Sequence, residues 1–271
     1  MFLYPNKDKC FVMEFECFIK EKKFRFALES LQNEVRKAPS SDRLRLALFH
    51  LLCVLGEYKR AIIQLDVLAD LNPKYKMFSR CYAALCVCEL FRAEVFVGKK
   101  TPLMLGEPAE RSAALAAALQ SADKSVFSRL DFQEFISAKC RVNGKEYAWL
   151  CDGDIRTASV LEIYLNEKYY WIDLNKVLKL SVSEPKDLGD LVWIAAELTL
   201  KNGGLLNVHL PVRYVSSLAE AGGAVLDASL TEWTSVAEGS ATYFGAGQRT
   251  FLTDECEFGI LEIRELEFID E

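Results

Sequence analysis

Asp152-Gly153-Asp154-Ile155-Arg156 sets two carboxylates and a guanidinium at alternate positions. In an extended segment, alternation would put all three side chains on one face. Two carboxylates so placed could hold a metal or work as an acid/base pair. A calcium loop, however, needs further oxygen ligands and a bidentate Glu, and Arg156 would repel a cation. A metal-dependent hydrolase using Asp152 and Asp154 is therefore the minor reading. A structural ion-pair cluster and a partner contact are the major ones, and the residues alone do not separate them. His50 and His209 are the two histidines, and the nine Cys are scattered without a CxxC pair. The expectation is reduced thiols in a cytoplasmic protein, not a zinc site or a disulfide framework. No GxSxG, GxxxxGK[ST] or GxGxxG is present. Gly245-Ala246-Gly247-Gln248-Arg249 lacks the following helix that phosphate binding needs; it reads as a turn that places Arg249 for an ion pair. No catalytic residue, cofactor or metal is expected.

The elements that must position these residues fall into two halves. Residues 1–142 carry 23 Lys and Arg against 17 Asp and Glu, and residues 143–271 carry 10 against 22. The acidic half excludes a general nucleic-acid binder, because phosphate contacts need a basic face. The asymmetry suggests halves that attract each other, or different partners. No apolar run reaches the length of a membrane span, and the opening MFLYPNKDKC lacks the pattern of a secretory signal.

The first half repeats. Phe24-Arg25-Phe26-Ala27-Leu28 aligns with Tyr58-Lys59-Arg60-Ala61-Ile62 at an offset of 34, as do Leu31 with Leu65 and Pro39 with Pro73. That is the period of the tetratricopeptide unit, in which a small residue lets paired helices approach and a proline ends the second. One unit covers about 42–75, a partial one precedes it, and a third opens near Lys76 with a helix running to about Val97. Further helices are expected over 109–119 and 123–140. The second half alternates at short spacing, with strands expected at 146–151, 160–165, 168–174, 177–182, 191–200, 205–210, 251–252 and 259–268. This predicts a compact, mainly antiparallel α+β domain. The stretch 216–230 reads as a surface loop or short helix. The fold class is thus a tetratricopeptide-like α-solenoid over 1–142 followed by a β-rich domain over 143–271.

Short runs spread along nearly the whole chain carry a resemblance. They are Arg92-Ala93-Glu94-Val95-Phe96 with Gly98, Leu105-Gly106-Glu107-Pro108, Asp152-x-Asp154-x-Arg156, Val160-Leu161-Glu162 and Tyr169-Tyr170-Trp171. Asp190-Leu191-Val192-Trp193, Pro211-Val212-Arg213-Tyr214, Thr231-Glu232-Trp233, Gly247-Gln248-Arg249 and Leu252-Thr253-Asp254 follow in order. Together they resemble the ImpE family, also called TagJ, of type VI secretion accessory proteins. Three departures stand out: Ala158-Ser159 before Val160, Glu167 in the hairpin turn, and Ile194-Ala195 after Trp193. The resemblance implies a non-enzymatic cytoplasmic protein that binds a helix near the N-terminus of the small sheath subunit, TssB. It further implies a link to sheath handling and, indirectly, to the unfoldase ClpV.

Two surfaces compete for that helix. A tetratricopeptide groove would present Arg43, Leu46, His50, Met77, Arg80 and Ala84. An amphipathic helix could set apolar anchors on Leu46, Met77 and Ala84 while Arg43 and Arg80 pair with its acids. The β half offers Asp152, Asp154, Arg156, Arg213, Trp233 and Arg249, and is the expected site, alone or at its junction with the helices. The four Trp read as core residues, and any exposed one becomes an interface candidate.

Overall fold

The computed structural model describes residues 14–215 and 222–269. Cys10 and the first part of the expected 216–230 loop lie outside them. Helices α1 (Glu14–Lys20), α2 (Phe24–Lys37), α3 (Asp42–Val54), α4 (Tyr58–Leu71) and α5 (Lys76–Phe96) come first. Ala27 and Ala61 have no exposed surface. The helix α3 starts on the Ser41 side chain, which accepts a hydrogen bond from the Leu44 amide. It ends at Gly56, whose positive φ makes the turn into α4.

After α5 the chain forms β1 (Leu103–Met104) and α6 (Glu110–Gln120). The helix expected over 123–140 is absent. Two short 3-10 turns, Lys124–Arg129 and Phe132–Phe135, stand there instead. The Asp123 and Asp131 carboxylates accept from the amides of Ser125 and Gln133. Such local bonds compete with helix formation.

Strands β2 (Cys140–Val142), β3 (Lys145–Tyr147), β4 (Leu150–Asp152), β5 (Val160–Leu165), β6 (Lys168–Asp173), β7 (Val177–Val182), β8 (Trp193–Leu200) and β9 (Leu205–Pro211) follow. The short helix α7 (Gly223–Leu226) precedes β10 (Thr231–Ser235), β11 (Tyr243–Gly247), β12 (Thr250–Thr253), β13 (Glu257–Gly259) and β14 (Glu265–Phe268). The main sheet has nine strands in the order β1-β6-β5-β9-β8-β7-β14-β2-β3, all antiparallel neighbours except β1 with β6. A three-stranded sheet, β13-β12-β4, and the hairpin β10-β11 complete the β structure.

Period-two alternation sends the two faces of β5 and β6 to different cores. Val160, Tyr164, Tyr169 and Trp171 join the helices in one core, while Leu161, Ile163 and Ile172 join β12 and β14 in the other. The helical region therefore shares its core with the sheet. Ion pairs cross the same boundary with the cation on the helical side, among them Arg92 with Glu162, Arg80 with Glu167, and Lys22 with Asp227.

The β5–β6 hairpin turns at Asn166 and Glu167, with φ of 49° and 64°. Glu167 thus holds the left-handed conformation that a two-residue hairpin demands and that glycine adopts without cost. Its pair with Arg80 is exposed on both sides, so little is lost with it. Glu167→Gly is expected to stabilise the protein by about 0.5–1 kcal/mol, read as a rise in the urea midpoint. A fall would mean that the Arg80 pair outweighs the turn.

Candidate functional site

The strand β4 delivers Asp152 into the interior, and the chain then turns sharply instead of continuing extended. The Asp154 amide donates to Asp152 Oδ1, and the Arg156 amide to Asp154 Oδ1, each at 2.9 Å. These side chains close turns on their own backbone, so the one-face arrangement expected from alternation does not form. Asp152 also accepts from the Thr157 hydroxyl at 3.0 Å and the Tyr214 hydroxyl at 2.6 Å. Asp154 accepts from the Gly245 amide at 2.8 Å and takes the Arg156 guanidinium, which lies over the rings of Phe244 and Phe96.

The turn before β12 places Arg249 beside this loop. One terminal nitrogen lies 3.0 Å from Asp152 Oδ2, and the other contacts Glu162 of β5. Glu162 is gripped from its far side by Arg92 of α5, whose Nε and Nη2 reach its two oxygens at 2.7 and 2.9 Å. Arg92 Nη1 meets Glu89, which accepts from the Tyr164 hydroxyl and the Trp193 indole. An alternating run of charges, Glu89–Arg92–Glu162–Arg249–Asp152, thus connects a helix to the loop after β4. All five residues are buried. Arg213 joins from another direction: its guanidinium donates to the carbonyls of Cys53 and Val54 at the end of α3, and to that of Leu226. A cation there is favourable to the helix dipole.

Burial raises the Asp152 carboxyl above its ordinary pKa, against the pull of Arg249. Burial likewise brings the Arg249 guanidinium down to about 10, opposed by Asp152. Burial raises the Tyr214 hydroxyl too, with the Asp152 charge adding to it. The oxygens of Asp152 and Asp154 face internal donors on every side, and Arg249 and Arg156 occupy the positions a bound cation would need. The arrangement is chemically that of a clamp, in which each charge fixes the next.

The six residues expected in the β half do come together, but four of them lie inside. Asp152, Asp154, Arg213 and Arg249 are buried, Arg156 is nearly so, and Trp233 is half-buried. None of the first four has surface to offer a partner, because each is enclosed by the charges and carbonyls it binds. The Trp233 ring lies directly over the turn, and a Cβ on Gly153 would stand 2.6 Å from it. Trp171 and Trp193 are core residues as expected, whereas Trp149 and Trp233 are half-buried.

In the alternative groove, α3 and α5 do face each other, but aromatic rings fill the space. Phe49 packs on Phe78 and Tyr82, and Tyr82 on Trp193 of the sheet. His50 is buried beside Gly189 and Asp187 and is out of a partner's reach. Leu46 is packed against the core and Ala84 is half-buried. Arg43 pairs with Glu16 and Arg80 with Glu167, and Met77 is 71% exposed. An exposed rim remains, without a deep trough.

Sequence reasoning missed Glu89 as a member of the site, and treated Arg92 and Glu162 only as parts of a resemblance. A signal was available. Glu162 interrupts Val160-Leu161-Glu162-Ile163-Tyr164, a strand otherwise apolar enough to be buried on both faces. Such a charge must be paired.

His50 carries a pH prediction. Burial holds its pKa down to about 4, opposed by the Asp187 charge, against about 6.5 for an unfolded histidine. The unfolded chain therefore binds the proton first as pH falls. Stability is full above about 6.5 and is lost progressively toward pH 4. His50→Gln is expected to remove about 2 kcal/mol of the loss between pH 7 and pH 5, measured by urea denaturation at both values. Parallel losses in the two proteins would mean that His50 is protonated in the folded state.

The sequence profile of the family described as ImpE protein matches residues 144–267. A Pseudomonas aeruginosa protein, the type VI secretion system accessory component TagJ, is 38% identical over 248 residues, spanning 89% of this chain and 86% of that one. The chain belongs to the ImpE/TagJ family. A Vibrio parahaemolyticus protein of known crystal structure shares the fold, with a TM-score of 0.86 at 23% identity over 95% of this chain and 98% of that one. Of the buried clamp, Asp152, Glu162 and Arg249 lie within the residues the family profile matches, and Glu89 and Arg92 come from α5, outside them. Among the described residues, no helix is long and apolar enough to cross a membrane.

Proposed function

We propose that this ImpE-family chain is a non-catalytic accessory component of a type VI secretion machine, acting in the cytoplasm. In this reading it binds a helix of the small sheath subunit, TssB, and assists sheath handling or recycling by ClpV. Residues 1–142 serve as a tetratricopeptide-type domain and 143–271 as an ImpE-type domain docked onto it. Kinship with TagJ supports the machine. The carrying observation for binding rather than catalysis is that the carboxylates of Asp152 and Asp154 are taken up by internal donors and guanidiniums, with half-buried Trp233 over the turn they close. A rigid base beneath a partly open aromatic is the physical setting of an interface hot spot. The buried carboxylates and guanidiniums would then shape the docking surface without touching the partner. A general peptide-binding groove and a metal-dependent hydrolase have no comparable observation in their favour.

Trp233→Ala is expected to weaken binding of the TssB helix by tenfold or more, at least about 1.4 kcal/mol, with the melting temperature of each variant checked beforehand. Arg43→Ala combined with Arg80→Ala should change it less than threefold. The opposite ranking assigns the helical rim, and absence of any complex with the sheath subunit rejects the reading.

A further inference from the structure

A cavity of about 120 Å³ lies between the α3–α4 turn, α5 and the chain leaving β9. Tyr58, Glu89, Arg92, Ala93, Arg213 and Tyr214 are among the residues lining it. Two of its charged groups are already answered, since Glu89 and Arg92 bind each other and Arg92 also holds Glu162. Arg213 is different. It is buried, its guanidinium meets only the carbonyls of Cys53, Val54 and Leu226, and no carboxylate among the described residues pairs with it. Tyr58 supplies the second observation. It is 5% exposed, its ring packs against Trp193, and its hydroxyl has no hydrogen-bond partner among the described residues.

The Tyr58 hydroxyl is left free to donate into the cavity, and a buried cation answered only by dipoles favours an anion nearby. We propose that this cavity binds a small oxyanion carrying one acid group, a carboxylate or a phosphate, with Tyr58 and Arg213 on the donor side. The volume equals about four water molecules. That suits a small acid and excludes a nucleotide or a peptide. A neutral ligand would satisfy Tyr58 but leave Arg213 unanswered, and a cation would meet Arg213 as a like charge. This site is separate from the proposed TssB surface and stands or falls independently of it.

The test titrates acetate, and separately inorganic phosphate, into the full-length protein at constant ionic strength balanced with chloride. The melting temperature is expected to rise saturably with at least one of them, as binding to the folded state requires. Tyr58→Phe keeps the ring against Trp193 and should raise the half-saturating concentration at least fivefold. Ala93→Leu fills the space without removing a polar group and should abolish the rise. Tyr58→Phe decides the matter alone if Ala93→Leu does not fold. No rise in the wild type, or an equal rise in wild type and Tyr58→Phe, would leave the cavity a place for water only and overturn the proposal.

Discussion

Arg249→Ala is expected to cost about 3–5 kcal/mol, enough to leave a domain of ordinary stability largely unfolded. The loss comes from what remains: Asp152 and Glu162, both without exposed surface, would lie deprived of the cation between them. Arg249 is itself imperfectly held. Its Nε finds no acceptor, and its terminal nitrogens meet the carboxylates at ion-pair range without well-aligned hydrogen bonds. The pKa shifts of both partners have the sign of a penalty. The raised pKa of Asp152 means that stability falls as pH rises above about 3.8 through the folded value. The lowered pKa of Arg249 means that stability grows only as pH climbs through about 10 and beyond. Both shifts act against the charged pair, so the network fixes one arrangement more than it stabilises the fold. Urea denaturation with an unchanged m-value checks the figure. A loss below about 1 kcal/mol would mean that water reaches the network and screens it.

Gly247→Ala should be nearly as damaging, at about 3 kcal/mol or more. Gly247 has a φ of 96°, and a Cβ there would lie 1.9 Å from the Leu230 carbonyl oxygen. That oxygen belongs to backbone and cannot rotate away. The Leu230 carbonyl also accepts from the Gln248 amide, so moving it displaces the turn that aims Arg249. Thermal melting would show the loss. Indole fluorescence of Trp233, which pairs across the hairpin with Gly245, would report the distorted turn. A variant melting within a degree or two of the wild type would show that β10 can shift without penalty.

Much of this was legible in the chain. The offset of 34 singled out Ala27 and Ala61, and both residues are fully buried. Alternation located the main strands, and the glycines around Arg249 marked the turn that aims it at an ion pair. Local chemistry misled at two places. The apolar face read into 123–140 suggested a helix, but Asp123 and Asp131 bond to amides two residues on and divide the stretch into short turns. Asp152, Asp154 and Arg156 looked extended by spacing, while the Asp side chains bend the backbone toward themselves.

Composition and periodicity determined helices α2 to α5 and most strands of the main sheet, because each depends on neighbours within a few residues. They also determined that basic residues gather in one half and acidic residues in the other. Only the tertiary structure decided which charges meet. Glu89 and Asp152 stand 63 residues apart in sequence, yet belong to one run of alternating charge built across α5, β5 and the turn before β12. Pairing at such separation follows from strand order and from which face of the sheet the helices cover, and neither is written in local spacing. The same packing set Arg213 against the end of α3 and left the Tyr58 hydroxyl facing a cavity. A charge enclosed by distant segments must find its partner among whatever they bring, and that choice exists only once the sheet and helices have closed on each other.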